Sequence, residues 1–281
     1  MRGLSDREIA ALYWHWEFWA RPDQLPPEGG WSTWMMLGGR GAGKTRAGAE
    51  WVRARIEAPP HKHPARRIAL IGETFAAARS VMVEGVSGLL AISPPDLRPQ
   101  FLPSRNLLVW PNGAEAQIFS AERPDALRGP QFDLAWCDEL AKWRYDEACW
   151  DMLQFGLRLG AQPRQMVSTT PRPTPLIKQL LGDLNCAVTR AETKANAANL
   201  ADGFMDRIEA RYGGTNMGVD RFGQGLKTDK GTEILGPSNP PAVYWTSETI
   251  TLTPGHERFT DGRVAVAIHY IRLPLPEAPS S

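Results

Sequence analysis

The chain has 281 residues, 42% of them hydrophobic and 22% charged, with a net charge of +1. That balance excludes wholesale disorder and removes any blanket electrostatic case for nucleic-acid binding, so a basic surface would have to be local. No apolar run reaches the ~18 residues of a membrane span, the Trp-rich N-terminus lacks a signal-peptide core, and Cys137, Cys149 and Cys186 form neither a metal spacing nor an even set; the expectation is an unsecreted protein of a reducing cytoplasm.

Taken in order, short β-rich runs alternate with amphipathic helical stretches, the pattern of a mostly parallel sheet flanked by helices. Strands are predicted over 34–37, 68–71, 107–110, 116–119, 134–137 and 166–168, and helices over 44–57, 75–90, 145–159, 175–181 and 203–212. Pro111-Asn112-Gly113 reads as a hairpin turn between two of the strands. Gly213-Gly214 reads as a helix stop. Beyond it the composition shifts: residues 215–236 are glycine-rich and polar, seven of the 24 prolines follow Gly236, and 264–268 is one further short strand. The reading divides the chain into residues 1–214 and 215–281.

Three segments carry chemistry. The first, Gly38-Gly39-Arg40-Gly41-Ala42-Gly43-Lys44-Thr45, fits G-x-x-x-x-G-K-[ST] between a predicted strand and a predicted helix. Its glycines let successive N–H groups face a β-phosphate at a helix N-terminus, with Lys44 reaching the β/γ-oxygens and the Thr45 hydroxyl ligating Mg²⁺. The alternative is a glycine-rich turn with a surface lysine. The second is an apolar strand ending in Asp138-Glu139. Asp138 would hold Mg²⁺ through water and Glu139 would orient or deprotonate the attacking water; otherwise the acids cap a helix. The third, Ser168-Thr169-Thr170-Pro171, puts hydroxyls at a strand C-terminus, where open α/β sheets bind ligands and a γ-phosphate could be sensed, or is only a turn. Of the 32 basic residues 25 are arginine, which reflects either codon bias or phosphate handling.

With these pieces in order the chain resembles the ATPase domain of the large terminase subunit of tailed phages and gene-transfer agents, over about residues 14–214. The resemblance rests on LGGRGAGKTRAGAEW (37–51), MVEGVSGLL (82–90), SAERPDALRGPQFDLAWCDE (120–139) and STTPRP (168–173). It implies an α/β P-loop NTPase of the additional-strand, RecA-like type, and an ATP- and Mg²⁺-dependent motor that packages double-stranded DNA into a preformed capsid. The implied partners are the portal protein, a small terminase subunit and sister copies in a ring on the portal. The implied place is the host bacterial cytoplasm, transiently at the prohead, with no membrane.

Carried over by residue, the resemblance gives Gly38, Gly39, Gly41, Ala42, Gly43, Lys44 and Thr45 the phosphate contacts and Thr45 and Asp138 the metal. It gives Glu139 the role of catalytic base, and Arg40 that of sensing or stabilising the γ-phosphate. Thr169 and Thr170 match a motif coupling hydrolysis to movement. Gln24, in Arg21-Pro22-Asp23-Gln24, matches an adenine-recognition motif, although a loop residue is the plain alternative. Arg128, in Ala126-Leu127-Arg128-Gly129, matches an arginine that reaches a neighbouring subunit's ATP; it reads otherwise as solvated or paired with Asp125. The family's nuclease domain is the departure. His269 stands where its first metal-binding Asp would be, and the acids after Gly214 lie mostly in loops, so DNA cleavage is expected to be absent. The chain then reads as a truncated or split motor, with an inactive prophage remnant or a helicase-like DNA-dependent ATPase as alternatives.

Overall fold

A computed structural model describes residues 12–212. The chain divides into a large unit, Trp14–Ser238, and a second one made of Met1–Tyr13 with Asn239–Ser281. The sheet and its flanking helices belong to the first. The expected glycine stop at Gly213, the linker over 215–236, the strand over 264–268, His269 and the division at 214 lie outside the described residues.

The strands are β1 (Thr33–Gly38), β2 (Arg67–Gly72), β3 (Gln100–Leu102), β4 (Leu107–Val109), β5 (Glu115–Ser120), β6 (Leu134–Asp138), β7 (Arg164–Thr169) and β8 (Cys186–Ala191). They form one sheet in the order β3-β4-β5-β2-β6-β7-β1-β8. All pairings are parallel except β3 with β4 and β4 with β5. The β4–β5 pairing is the hairpin expected at Pro111-Asn112-Gly113, where Gly113 takes a φ of +80°. The longer helices are α1 (Lys44–Glu57), α2 (Asp146–Gly156), α3 (Pro175–Leu181) and α4 (Phe204–Tyr212). Strand β7 lies between β1 and β6. It is the additional strand that separates the phosphate-loop strand from the acid-bearing strand, so the fold is the additional-strand, RecA-like P-loop type.

Alternation along the strands builds two cores. On one face Trp34, Met36, Ile68, Leu70, Leu134, Trp136 and Met166 meet Ala47, Trp51, Val52 and Ile56 of α1. On the other, Met35, Leu37, Ile71, Cys137 and Val167 meet Cys149, Trp150 and Leu153 of α2 and Leu176, Ile177 and Leu180 of α3. Side chains of successive strand residues point to opposite faces, so a strand buried on both sides reads as a continuous apolar run.

One glycine sets the distance between α1 and the sheet. A Cβ on Gly48 would come within 2.3 Å of the Trp136 ring. The bare backbone there lets α1, which starts at the phosphate loop, lie directly on β6, which ends in the acids.

The helix expected over 75–90 is not continuous. A single turn, Phe75–Ala77, capped by the Thr74 hydroxyl, runs into a π-helical segment, Ala78–Val83, where the Glu84 N–H reaches back to Arg79 O. A separate short helix follows at Leu89–Ile92. Gly85 and Gly88 break the run: the Gly88 N–H turns back to Gly85 O, and a Cβ on Gly88 would strike Val83 O at 2.6 Å. The wider π turn brings the adjacent residues Met82 and Val83 both into the core. Helix α2 stops at Gly156, short of the expected 159, because Gly156 lies against Phe132 and Pro130 O.

Candidate active site

The phosphate loop begins where β1 ends. Gly38 has no room for a side chain, since a Cβ there would meet Ala191 O of β8 at 2.6 Å. Gly41 and Gly43 take φ values of +75° and +84°, backbone that L side chains rarely adopt, and Gly43 is the N-cap of α1. Lys44 opens the helix and is buried. Its Nζ donates to Gly38 O at 2.9 Å and Gly39 O at 3.0 Å and stands 3.7 Å from Glu139 Oε1. Burial lowers the Lys44 pKa, and the facing Glu139 and Asp138 carboxylates oppose that shift. Thr45 follows in the first turn of the same helix.

Strand β6 delivers Asp138 in register with Ser168 of β7. The Ser168 hydroxyl donates to Asp138 Oδ1 at 2.6 Å and accepts from Trp136 Nε1 at 2.8 Å, while Trp143 Nε1 donates to Asp138 O. Burial pushes the Asp138 carboxyl up to about 6; the Ser168 hydrogen bond pulls the other way, and the Glu139 charge adds to the rise.

Glu139 departs from the strand into left-handed backbone, φ +53°, with its N–H on Ser168 O at 2.6 Å. That conformation is uncommon for a residue with a Cβ and costs on the order of 1 kcal/mol. It turns the carboxylate toward Lys44, Lys142 (Oε2 to Nζ, 3.2 Å) and Thr170, whose hydroxyl donates to Oε2 at 3.4 Å. The Thr169 hydroxyl accepts from Ala141 N and donates to Thr170 O. Both threonines are thus hydrogen-bonded to the segment carrying the acid pair.

Gln24 is buried against the loop, its amide nitrogen on Gly43 O at 3.2 Å and its amide oxygen accepting from Arg21 N. Gln24, Lys44, Asp138, Glu139, Thr169 and Thr170 therefore gather around one end of the sheet. Two predicted residues are exposed. Arg40 is on the exposed part of the loop. Arg128 is 74% exposed, its guanidinium 3.6 Å from Asp125 Oδ1. Lys142, one helical turn from Glu139, and Thr193 and Asn196, which bond the loop's carbonyls, belong to none of the motifs; Arg21, which bonds Ala42 O, stands in the motif of Gln24 without a role of its own there. The only sequence signal for Lys142 is its i,i+3 spacing from Glu139.

No group of three or more His, Cys, Asp or Glu among the described residues could hold a metal ion. A hydroxyl plus one buried carboxylate instead suits Mg²⁺, which is usually held by one or two carboxylates together with substrate phosphates and water. Burial is the main cause of the raised pKa of Asp138, and a divalent cation held beside it would favour the ionised carboxylate.

Residues 35–232 match the family model described as terminase large subunit, T4likevirus-type, N-terminal. No curated protein sequence matches the chain. Among solved structures, the large terminase of the thermophilic bacteriophage D6E in complex with ADP is similar at TM-score 0.54 and 16% identity, over 75% of this chain and 50% of that one. The same protein with ATP-gamma-S gives 0.55 and 15%, over 78% and 51%. The ATPase domain of the Thermus phage P74-26 large terminase gives 0.55 and 18%, over 78% of this chain and 97% of that one. The chain thus spans about half the length of the D6E protein.

Proposed function

The chain belongs to the terminase large-subunit family, and on that premise we propose that it is an ATP-hydrolysing motor that drives double-stranded DNA into a prohead. The observation that carries the reading is the meeting of Lys44 with the Asp138-Glu139 pair across the intervening strand β7. That the D6E terminase was crystallised with ADP and with ATP-gamma-S supports ATP as the nucleotide.

In this reading the loop amides bind the phosphate chain and the Lys44 ammonium exchanges its two carbonyl partners for β/γ-oxygens. Thr45 and, through water, Asp138 would hold Mg²⁺, which when bound would neutralise charge on the phosphates. Glu139 positions a water for in-line attack and takes its proton, held in place by Lys142 and Thr170. Loss of the γ-phosphate changes what Glu139 faces, and the Thr170 and Thr169 hydroxyls pass that change to the end of β7. Gln24 would meet the adenine edge by exchanging its bonds to Gly43 O and Arg21 N, Arg40 would turn to the γ-phosphate, and Arg128, exposed, would reach a neighbouring subunit's ATP in a ring.

The partners of the reading are DNA, portal, small terminase subunit and sister copies, in the host cytoplasm and transiently at the prohead. Among the described residues no helix is long and apolar enough to cross a membrane. The division at 214 into motor and following segment is part of the same proposal. DNA cleavage is left outside it, because the acids it would need follow Gly214 and lie outside the described residues. Retention of Lys44, Thr45, Asp138 and Glu139 counts against an inactive remnant. ATP turnover measured with and without DNA and portal tests the proposal: stimulation supports a motor, and tight binding without stimulation supports the remnant.

A further inference from the structure

Every carbonyl of the phosphate loop from Gly38 to Gly43 accepts a hydrogen bond from a side chain. Lys44 takes Gly38 O and Gly39 O. The next four are taken from two segments far apart in sequence. Thr193 Oγ1 donates to Arg40 O at 2.8 Å and Asn196 Nδ2 to Gly41 O at 2.7 Å. Arg21 Nη2 donates to Ala42 O at 2.7 Å and Gln24 Nε2 to Gly43 O at 3.2 Å. Arg21 Nη1 also donates to Asn196 Oδ1 at 2.8 Å, so the two segments are tied to each other. Thr193 is buried, and the Leu200 side chain closes on Gly41, where a Cβ would meet it at 3.0 Å.

The geometry has a direct consequence. In a planar trans peptide the C=O of one residue and the N–H of the next point to opposite sides. Anchoring the carbonyls of Arg40, Ala42 and Gly43 outward therefore turns the N–H groups of Gly41, Gly43 and Lys44 inward. The remaining amide, that of Ala42, donates to Gly39 O at 3.3 Å and closes the turn. A loop with glycine at 38, 39, 41 and 43 has much backbone freedom to lose on binding a ligand, and a structure that fixes it beforehand removes that cost from the affinity.

We propose that Thr193 and Asn196, with Arg21, are positioning residues that hold the phosphate loop open-handed for the phosphate chain. The proposal rests on the nucleotide-site reading and deepens it: the segment after β8, which no motif marks, is part of the phosphate site. These residues face the outer side of the loop backbone, so they act on phosphate binding and not on the adenine.

The test measures affinity for ADP and for inorganic pyrophosphate, the latter by displacement of a fluorescent ADP, in the full chain and its variants. Thr193→Val keeps the methyl near Gly41 and removes the donor. Asn196→Asp keeps the acceptor for Arg21 and sets a carboxylate oxygen against Gly41 O. Each is expected to weaken ADP and pyrophosphate alike by about five- to tenfold, while Thr193→Ser binds both as the wild type does. Lys44→Ala is the control for the site itself: if it leaves ADP affinity unchanged, the nucleotide-site reading fails. If Lys44→Ala weakens binding while Thr193→Val and Asn196→Asp bind normally, the positioning role is overturned. It is equally overturned if Thr193→Ser is as weak as Thr193→Val, or if ADP is weakened and pyrophosphate is not.

Discussion

The Ser168 hydroxyl donates to the Asp138 carboxylate at 2.6 Å, across the paired ends of β6 and β7. That single bond does not offset burial, and Asp138 retains a pKa of about 6 against an ordinary 3.8. Between those two values the folded chain holds a proton that the unfolded chain has released, so the Asp138 contribution to stability falls as pH rises from about 4 to about 6 and stays lost above. Asp138→Asn should therefore raise the melting temperature of the nucleotide-free protein at pH 7.5, by up to about 3 kcal/mol in stability, with no gain at pH 4. Equal effects at both pH values would mean that Asp138 carries no such penalty.

The same shift predicts competition between proton and cation. Below about pH 6 Asp138 is protonated, and a neutral carboxyl is a poor Mg²⁺ ligand. The Mg²⁺ concentration needed for half-maximal ATP turnover should climb as pH falls through 6. A Mg²⁺ requirement that is flat from pH 5.5 to 8 would remove Asp138 from the metal site.

Gly48 gives a prediction whose sign is informative. Helix propensity alone makes Gly48→Ala stabilising by about 1 kcal/mol. A Cβ 2.3 Å from the buried Trp136 ring must instead push α1 off β6, and overpacking of this kind costs about 1–3 kcal/mol. Chemical denaturation should show net destabilisation, together with slower ATP turnover as Lys44 retreats from Glu139.

Arg128 is proposed to act on a neighbour. A guanidinium supplied from outside stabilises transition-state charge by about 10³–10⁵ in rate where such residues operate. Specific ATPase activity should rise with protein concentration or on adding portal. A mixture of Arg128→Ala and Glu139→Gln chains should recover partial activity, since one kind of junction then joins an intact acid to an intact arginine. A co-assembled mixture as inactive as either variant would leave Arg128 as the exposed partner of Asp125 that the monomer displays.

Much of this site is legible in the sequence because its parts are local. The phosphate loop lies between an apolar strand and a helix, and Asp138-Glu139 ends a run buried on both faces. The edge strands were less legible. β8 is only partly buried, its residues mix polar and apolar, and β3 is three residues long. Helix 75–90 failed because amphipathic spacing hides a π turn, and because Gly85 and Gly88 matter through what they touch. Thr193 and Asn196 could not be found from spacing at all: they lie more than 150 positions from the carbonyls they hold, and only the β1–β8 pairing brings them there.

In the proposed mechanism Glu139 acts on water while Lys44 and the loop hold ATP. Single-turnover hydrolysis and ATP affinity, measured together on Glu139→Gln, test it most directly. The substitution keeps shape and hydrogen bonding but removes the base, so ATP should bind within about twofold of the wild type while the hydrolytic step slows by at least about 10². Hydrolysis by Glu139→Gln at the wild-type rate would mean that Glu139 is not the base.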